Sequence, residues 1–155
     1  MDHLRHLLAE MGLTGVKTYI ASGNVLFDAA APHLPSLEAQ IETHLHQRLG
    51  YPVVTFIRTA SEMGAIAAYT PFEPVGEHTL YIAFVKEPPD AAAQAKLQLF
   101  ANEIDQFQVR GREIYWLCYK TISQSTFSGA VLEKTLGQPA TLRNSSTVRK
   151  LAALV

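Results

Sequence analysis

The strongest constraint on this chain is that its punctuation repeats. Leu49-Gly50-Tyr51-Pro52 is matched by Leu136-Gly137-Gln138-Pro139, and the cap residue Thr59 is matched by Ser146. Positions 49, 50, 52 and 59 stand against 136, 137, 139 and 146, a constant shift of 87. The same shift lays the turn glycine of an early hairpin, Gly23, over that of a late one, Gly111, to within a residue. Chance can produce one short LGxP match. It does not readily reproduce the order helix, hairpin, helix, Gly-x-Pro and cap as well. The chain therefore reads as a duplication, with one unit over residues 1–75 and a second over 76–155 inside one structural domain. The junction is placed in Tyr69 to Gly76, which holds two prolines and a glycine.

Local patterns supply the elements. Leu4, Leu7, Leu8 and Met11 share one helical face that Gly12 can end. Val16 to Ile20 and Val25 to Phe27 are β-type runs joined by Ala21-Ser22-Gly23-Asn24, a turn-rich tetrad. Leu37, Ile41, Leu45 and Leu49 recur every four residues, the stripe of an amphipathic helix closed by Gly50. Pro52 to Arg58 is β-branched and aromatic and reads as a strand, and Thr59 with Glu62 has capping-box spacing. In the second half Thr79 to Val85 is a strand, and Asp90 caps an alanine-rich helix. Gln106 to Arg110 and Glu113 to Tyr119 flank Gly111 as a second hairpin. A helix ending at Gly137 follows, then Thr141 to Asn144 and a last helix capped by Ser145 or Ser146.

Strand, helix, hairpin, helix, strand is the order of a ferredoxin-like unit. The expected class is α+β, with duplicated ferredoxin-like units of which the first lacks its first strand. Shifted back by 87, the counterpart of Thr79 to Val85 falls before residue 1. Either the first unit formed without that strand or the chain starts too late. Such a strand would be central, so its loss leaves unpaired edges that favour a homodimer or aggregation.

The composition agrees with a globular protein: 48% hydrophobic, 17% charged and a formal charge of −1. That balance gives no general pull toward nucleic acid or an anionic membrane. The single cysteine, Cys118, cannot close an intramolecular disulfide, which fits a reducing, cytoplasmic location. No apolar run approaches the roughly 20 residues of a membrane helix, so no membrane partner is expected.

Several stretches resemble the bacterial domain-of-unknown-function family DUF1697. They are Met1 to Arg5, Val16 to Ile20 with Ser22 to Val25, Ile57-Arg58-Thr59, and Thr141 to Asn144 with Thr147-Val148. The resemblance spans nearly the whole chain and implies a fold without a settled activity. Through it, Tyr19, Ser22, Gly23, Asn24, Arg58, Thr141, Arg143, Asn144 and Thr147 become the candidate ligand-binding residues. Two features depart from the family's pattern. Relatives open with an apolar strand and a turn of the type LLRGINVGG. Their closing motif tends to RNWNT, where this chain has Arg143-Asn144-Ser145-Ser146-Thr147.

Signs of catalysis are sparse. His3 and His6 could share a helical face but have no acidic or thiol partner placed with them, and His44 and His46 diverge. Ser128 lacks the first glycine of G-x-S-x-G, and Cys118 lies in an apolar run. Phosphate-loop and dinucleotide signatures are absent, so no cofactor is expected. Val109 to Tyr119 faintly resembles a base-stacking strand, yet apolar residues on both of its faces suggest a strand covered on both sides. The turn at Ser22-Gly23-Asn24 either offers N–H groups to an anion or simply permits a tight hairpin. Arg143 through Thr147, with Arg149 and with Arg58 before the matching helix, reads either as an anion site beside helix N-termini or as an ordinary capped helix. Three functions stay open: a binding module for an anionic small molecule or partner, an enzyme acting on a phosphorylated or carboxylated metabolite, and an assembly subunit.

Overall fold

Gly50 and Gly137, each of which follows the last residue of a helix, both take the left-handed conformation, with φ of 82° and 71°. A residue with a Cβ is strained there, so glycine is what lets each helix stop and the chain turn away. This computed structural model describes residues 2–19, 23–29, 34–72, 78–119 and 127–155. Among them lie six helices and two antiparallel sheets, an α+β fold. The chain divides into two compact units, Met1–Ile57 with Val155, and Arg58–Leu154.

The first unit runs α1 (Asp2–Ala9), β1 (Thr14–Tyr19), β2 (Asn24–Asp28) and α2 (Leu34–Leu49). β1 and β2 pair antiparallel, with Tyr19 opposite Asn24 and Lys17 opposite Leu26. Leu7 and Leu8 of α1 meet Leu37, Ile41 and Leu45 of α2 in one buried cluster, joined by Leu13 and Ile57. The four-residue spacing on α2 thus marks the face that packs. Residues 52–58 carry no strand, which corrects the expectation for Pro52 to Arg58. Their side chains still alternate, with Val53 and Ile57 on the core and Val54 exposed. A strand needs a neighbour for its backbone, and side-chain alternation alone does not supply one.

The second unit runs α3 (Ala60–Ala68), β3 (Thr79–Phe84), α4 (Ala91–Gln98), β4 (Asp105–Arg110), β5 (Glu113–Cys118), α5 (Gly129–Leu136), β6 (Thr141–Asn144) and α6 (Ser145–Leu154). Its four strands lie in the order β4-β5-β3-β6, all neighbours antiparallel. On one face Ala83, Ile114, Trp116 and Cys118 pack with Leu97 of α4 and Leu132 of α5. The other face carries Leu80, Ile82, Tyr115 and Leu117, all buried. There α6 packs on β3 and α3, and Tyr115 donates its hydroxyl hydrogen to the Ile66 carbonyl of α3 at 2.9 Å. β5 is therefore covered on both sides, as its two-faced apolar pattern required, and offers no exposed aromatic face to stack bases. Trp116 Nε1 donates to the buried Asp105 carboxylate at 2.7 Å, satisfying both polar groups inside the core.

Candidate functional site

β6 runs directly into α6, and this junction gathers four of the residues named from the sequence: Thr141, Arg143, Asn144 and Thr147. β6 is anchored by its pairing with β3, where Arg143 lies opposite Ile82 and Asn144 opposite Tyr81. The Arg143 guanidinium donates through Nη1 to Thr141 Oγ1 at 2.7 Å and to the Leu142 carbonyl at 2.9 Å. Those bonds hold it beside its own strand. Burial pushes its pKa below the ordinary arginine value, which reports a cation partly stripped of water.

Asn144 caps α6. Its Oδ1 accepts from the Ser146 backbone N–H and from the Ser146 hydroxyl, both at 3.0 Å. The expected cap by Ser145 or Ser146 is corrected accordingly: Ser145 is the first residue of the helix and is buried. The side chain one residue earlier reaches the second N–H of the helix, which is the geometry an N-cap requires. Thr147 sits half-buried in the first turn.

Arg58 belongs to the same unit but is surrounded differently. Its side chain is 3% exposed, and its Nε donates to Glu113 Oε2 at 2.9 Å. Its Nη2 donates to the Val85 carbonyl at 2.8 Å and the Arg112 carbonyl at 3.1 Å, while the guanidinium lies 5.3 Å from the centre of the Phe84 ring. Arg58 thereby closes the end of β3 and the β4–β5 turn. Thr59 next to it accepts from Glu62 N–H at 3.0 Å, and Glu62 Oε1 accepts from Thr59 N–H at 2.9 Å, the reciprocal capping box read from the sequence.

Tyr19, Gly23 and Asn24 lie on the hairpin of the first unit, and Ser22 lies outside the described residues. Gly23 has φ of 81°, and Asn24 is buried. That glycine is what the tight turn demands.

Sequence reasoning did not find a cleft of about 140 Å³ in the second unit, lined by Glu62, Ile66, Arg110, Glu113 and Tyr115 among others. Arg112 pairs with Glu62 at 2.8 Å, and Arg110 lies 4.1 Å from the centre of the Tyr69 ring. Burial, with Glu113 and Tyr69 nearby, outweighs Arg110 and pushes the Tyr115 phenol up to about 12. At neutral pH it is a bound hydrogen-bond donor rather than a base. Both glutamates in the cleft are tied to arginines, so none of its groups is poised for proton transfer. The pairs lie 55 and 50 residues apart in the chain, and no local pattern announces them.

Among the described residues no three His, Cys, Asp or Glu side chains come together as a metal site, and His44 lies 3.6 Å from Glu10. No helix among them is long and apolar enough to cross a membrane.

The family model for DUF1697, described as a protein of unknown function, matches residues 1–115. Among solved structures, the chain resembles the conserved bacterial protein SP0830 from Streptococcus pneumoniae. The TM-score is 0.75 at 21% identity, over 99% of this chain and 87% of that one. At that identity the likeness concerns the fold. No curated protein matches.

Proposed function

Since the chain belongs to the DUF1697 family, whose function is unknown, we propose from its own residues that it is a binding module. It takes the anionic group of a small molecule or partner at the β6–α6 junction. The observation that carries this reading is the Arg143 guanidinium, partly desolvated and hydrogen-bonded to Thr141 and the Leu142 carbonyl on the strand that leads into α6. A helix N-terminus favours negative charge, and a cation with depleted hydration gains from a charge-assisted hydrogen bond. Thr141 supplies a hydroxyl at the guanidinium, and Asn144 and Thr147 supply amide and hydroxyl groups on the same β6–α6 segment. Arg58 supports the fold behind the site, since its donors are directed at Glu113 and two carbonyls.

The proposal extends to architecture. The β-α-β-β-α-β order of residues 79–144, with strand order β4-β5-β3-β6, is that of a ferredoxin-like unit, and the helix, hairpin and helix of the first unit repeat part of that order. Gly50 and Gly137 support this, because both end their helices in the same conformation at the shift of 87 read from the sequence.

A thermal-shift screen with inorganic phosphate, phosphorylated metabolites and nucleotides tests the site. At least one compound should raise the melting temperature of the native chain and leave Arg143→Ala unmoved. If no compound gives an Arg143-dependent shift, the anion site is wrong.

A further inference from the structure

Arg110 and Glu113 stand opposite each other in the β4–β5 ladder, the last residue of one strand and the first of the next. Opposite charges so placed on neighbouring strands attract. Here each is engaged elsewhere. The Glu113 carboxylate accepts from Arg58 at 2.9 Å, and the Arg110 guanidinium lies 4.1 Å from the centre of the ring of Tyr69, the residue that caps the end of α3. Glu62, the other carboxylate lining the cleft, accepts from Arg112 at 2.8 Å. Each glutamate is thus neutralised by an arginine of its own. The Arg110 guanidinium is the cation left over: among the described residues it makes no ion pair and no hydrogen bond.

The platform beneath Arg110 is fixed. Tyr69 meets Tyr115 edge to face with ring centres 5.1 Å apart, and the buried Tyr115 is tied to the Ile66 carbonyl by its hydroxyl. A cation–π contact uses none of a guanidinium's N–H donors, so those of Arg110 remain for a ligand. We propose that the cleft on the α3 side is a second binding site, which takes a small monocarboxylate on Arg110. A planar carboxylate matches the guanidinium fork with two parallel hydrogen bonds. Its aliphatic part lies against Ala65 and Ile66, which line the same cleft. At about 140 Å³ the cleft has room on the order of five waters, which suits a short chain and excludes a nucleotide. A dianion is disfavoured, because one unpaired cation cannot offset its second charge beside Glu62 and Glu113. The site shares no ligand-contacting residue with the β6–α6 junction, so the two readings stand or fall separately.

Sodium propionate titrated into the full chain, isotope-labelled at arginine nitrogen and isoleucine methyl carbon, tests the site by NMR. Saturable shifts should appear at the Arg110 side chain and at Ile66, and sodium chloride at the same ionic strength should not reproduce them. Arg110→Gln should weaken the binding by about tenfold or more, the worth of a hydrogen bond to a charged group. Ala65 is exposed on α3, so Ala65→Leu narrows the cleft without touching the cation and should weaken binding as well. Trialanine and its C-terminal amide separate a free small acid from the carboxylate that ends a peptide chain. Saturable, Arg110-dependent binding of propionate or of the trialanine acid upholds the proposal, and which of them binds tighter names the source. Shifts that chloride reproduces overturn it. So does binding that Arg110→Gln leaves intact, or an amide that binds as tightly as its acid.

Discussion

Arg58 and Arg143 show how differently two arginines of one unit are placed. Arg58 lies almost wholly inside, its fork shared between a carboxylate and two carbonyls, so removing it strands Glu113 in a low-dielectric setting. Arg58→Ala should cost about 3–5 kcal/mol in urea unfolding. Arg58→Lys should recover little of that, because an ammonium cannot span the three acceptors in one plane. Two further side chains give the protein a pH signature. Burial works to raise the Glu62 carboxyl, but the Thr59 N–H, Arg112 and the Thr59 hydroxyl outweigh it and hold the carboxyl below its usual value. A carboxylate depressed in the folded state stabilises above its unfolded pKa, and that stability fades as pH falls through the folded value. Tyr115 is the opposite case. Its phenol, raised to about 12, stabilises below the ordinary tyrosine range and is lost as pH climbs through the folded value. An alkaline titration followed by tyrosinate absorbance should show Tyr115 titrating late, with Tyr81 also raised by its burial, and Tyr115→Phe should shrink that late phase by one tyrosine. Full titration near the ordinary tyrosine value would contradict this burial. The sequence revealed Arg58 and Thr59 as neighbours of a cap, but the partners of Arg58 come from strands its local context cannot show.

At the scale of elements, local chemistry was legible and pairing was not. The caps by Thr59 and Asp90 depend on atoms three residues apart, so the short-range pattern contains them. The α6 cap was displaced by one residue. Two serines drew the reading, yet Asn144 at the end of β6 has the carbonyl oxygen placed to accept from Ser146. Asn144→Ala should therefore destabilise by about 1 kcal/mol, while Ser146→Ala should stay within about 0.5 kcal/mol. The reverse order in chemical denaturation would return the cap to the serine. Residues 52–58 teach the complementary lesson. Their β-branched, alternating composition sets which side chains face the core, but a strand also needs a ladder, and that is a property of distant residues.

At the scale of the molecule, periodicity predicted that β5 would be enclosed, and helices cover both faces of its sheet. The α+β class and the family were legible from element order and from the stretches at Val16 to Val25 and Ile57 to Thr59. The candidate residues read from the sequence meet at the β6–α6 junction because four of them fall within residues 141–147. The paired cleft on the α3 side was hidden, because its charges come from three separate segments. The central proposal is that the two halves of the chain repeat one pattern at a shift of 87. At that shift residues 54–56 stand against 141–143, which are laddered to β3, whereas 54–56 belong to no strand among the described residues. Native-state hydrogen exchange on the unmodified chain tests this most directly. Amides of β6 laddered to β3 should exchange only through large-scale opening of the second unit, and those of Val54, Thr55 and Phe56 should exchange early and independently of it. Equal, strong protection of the two segments would contradict the account.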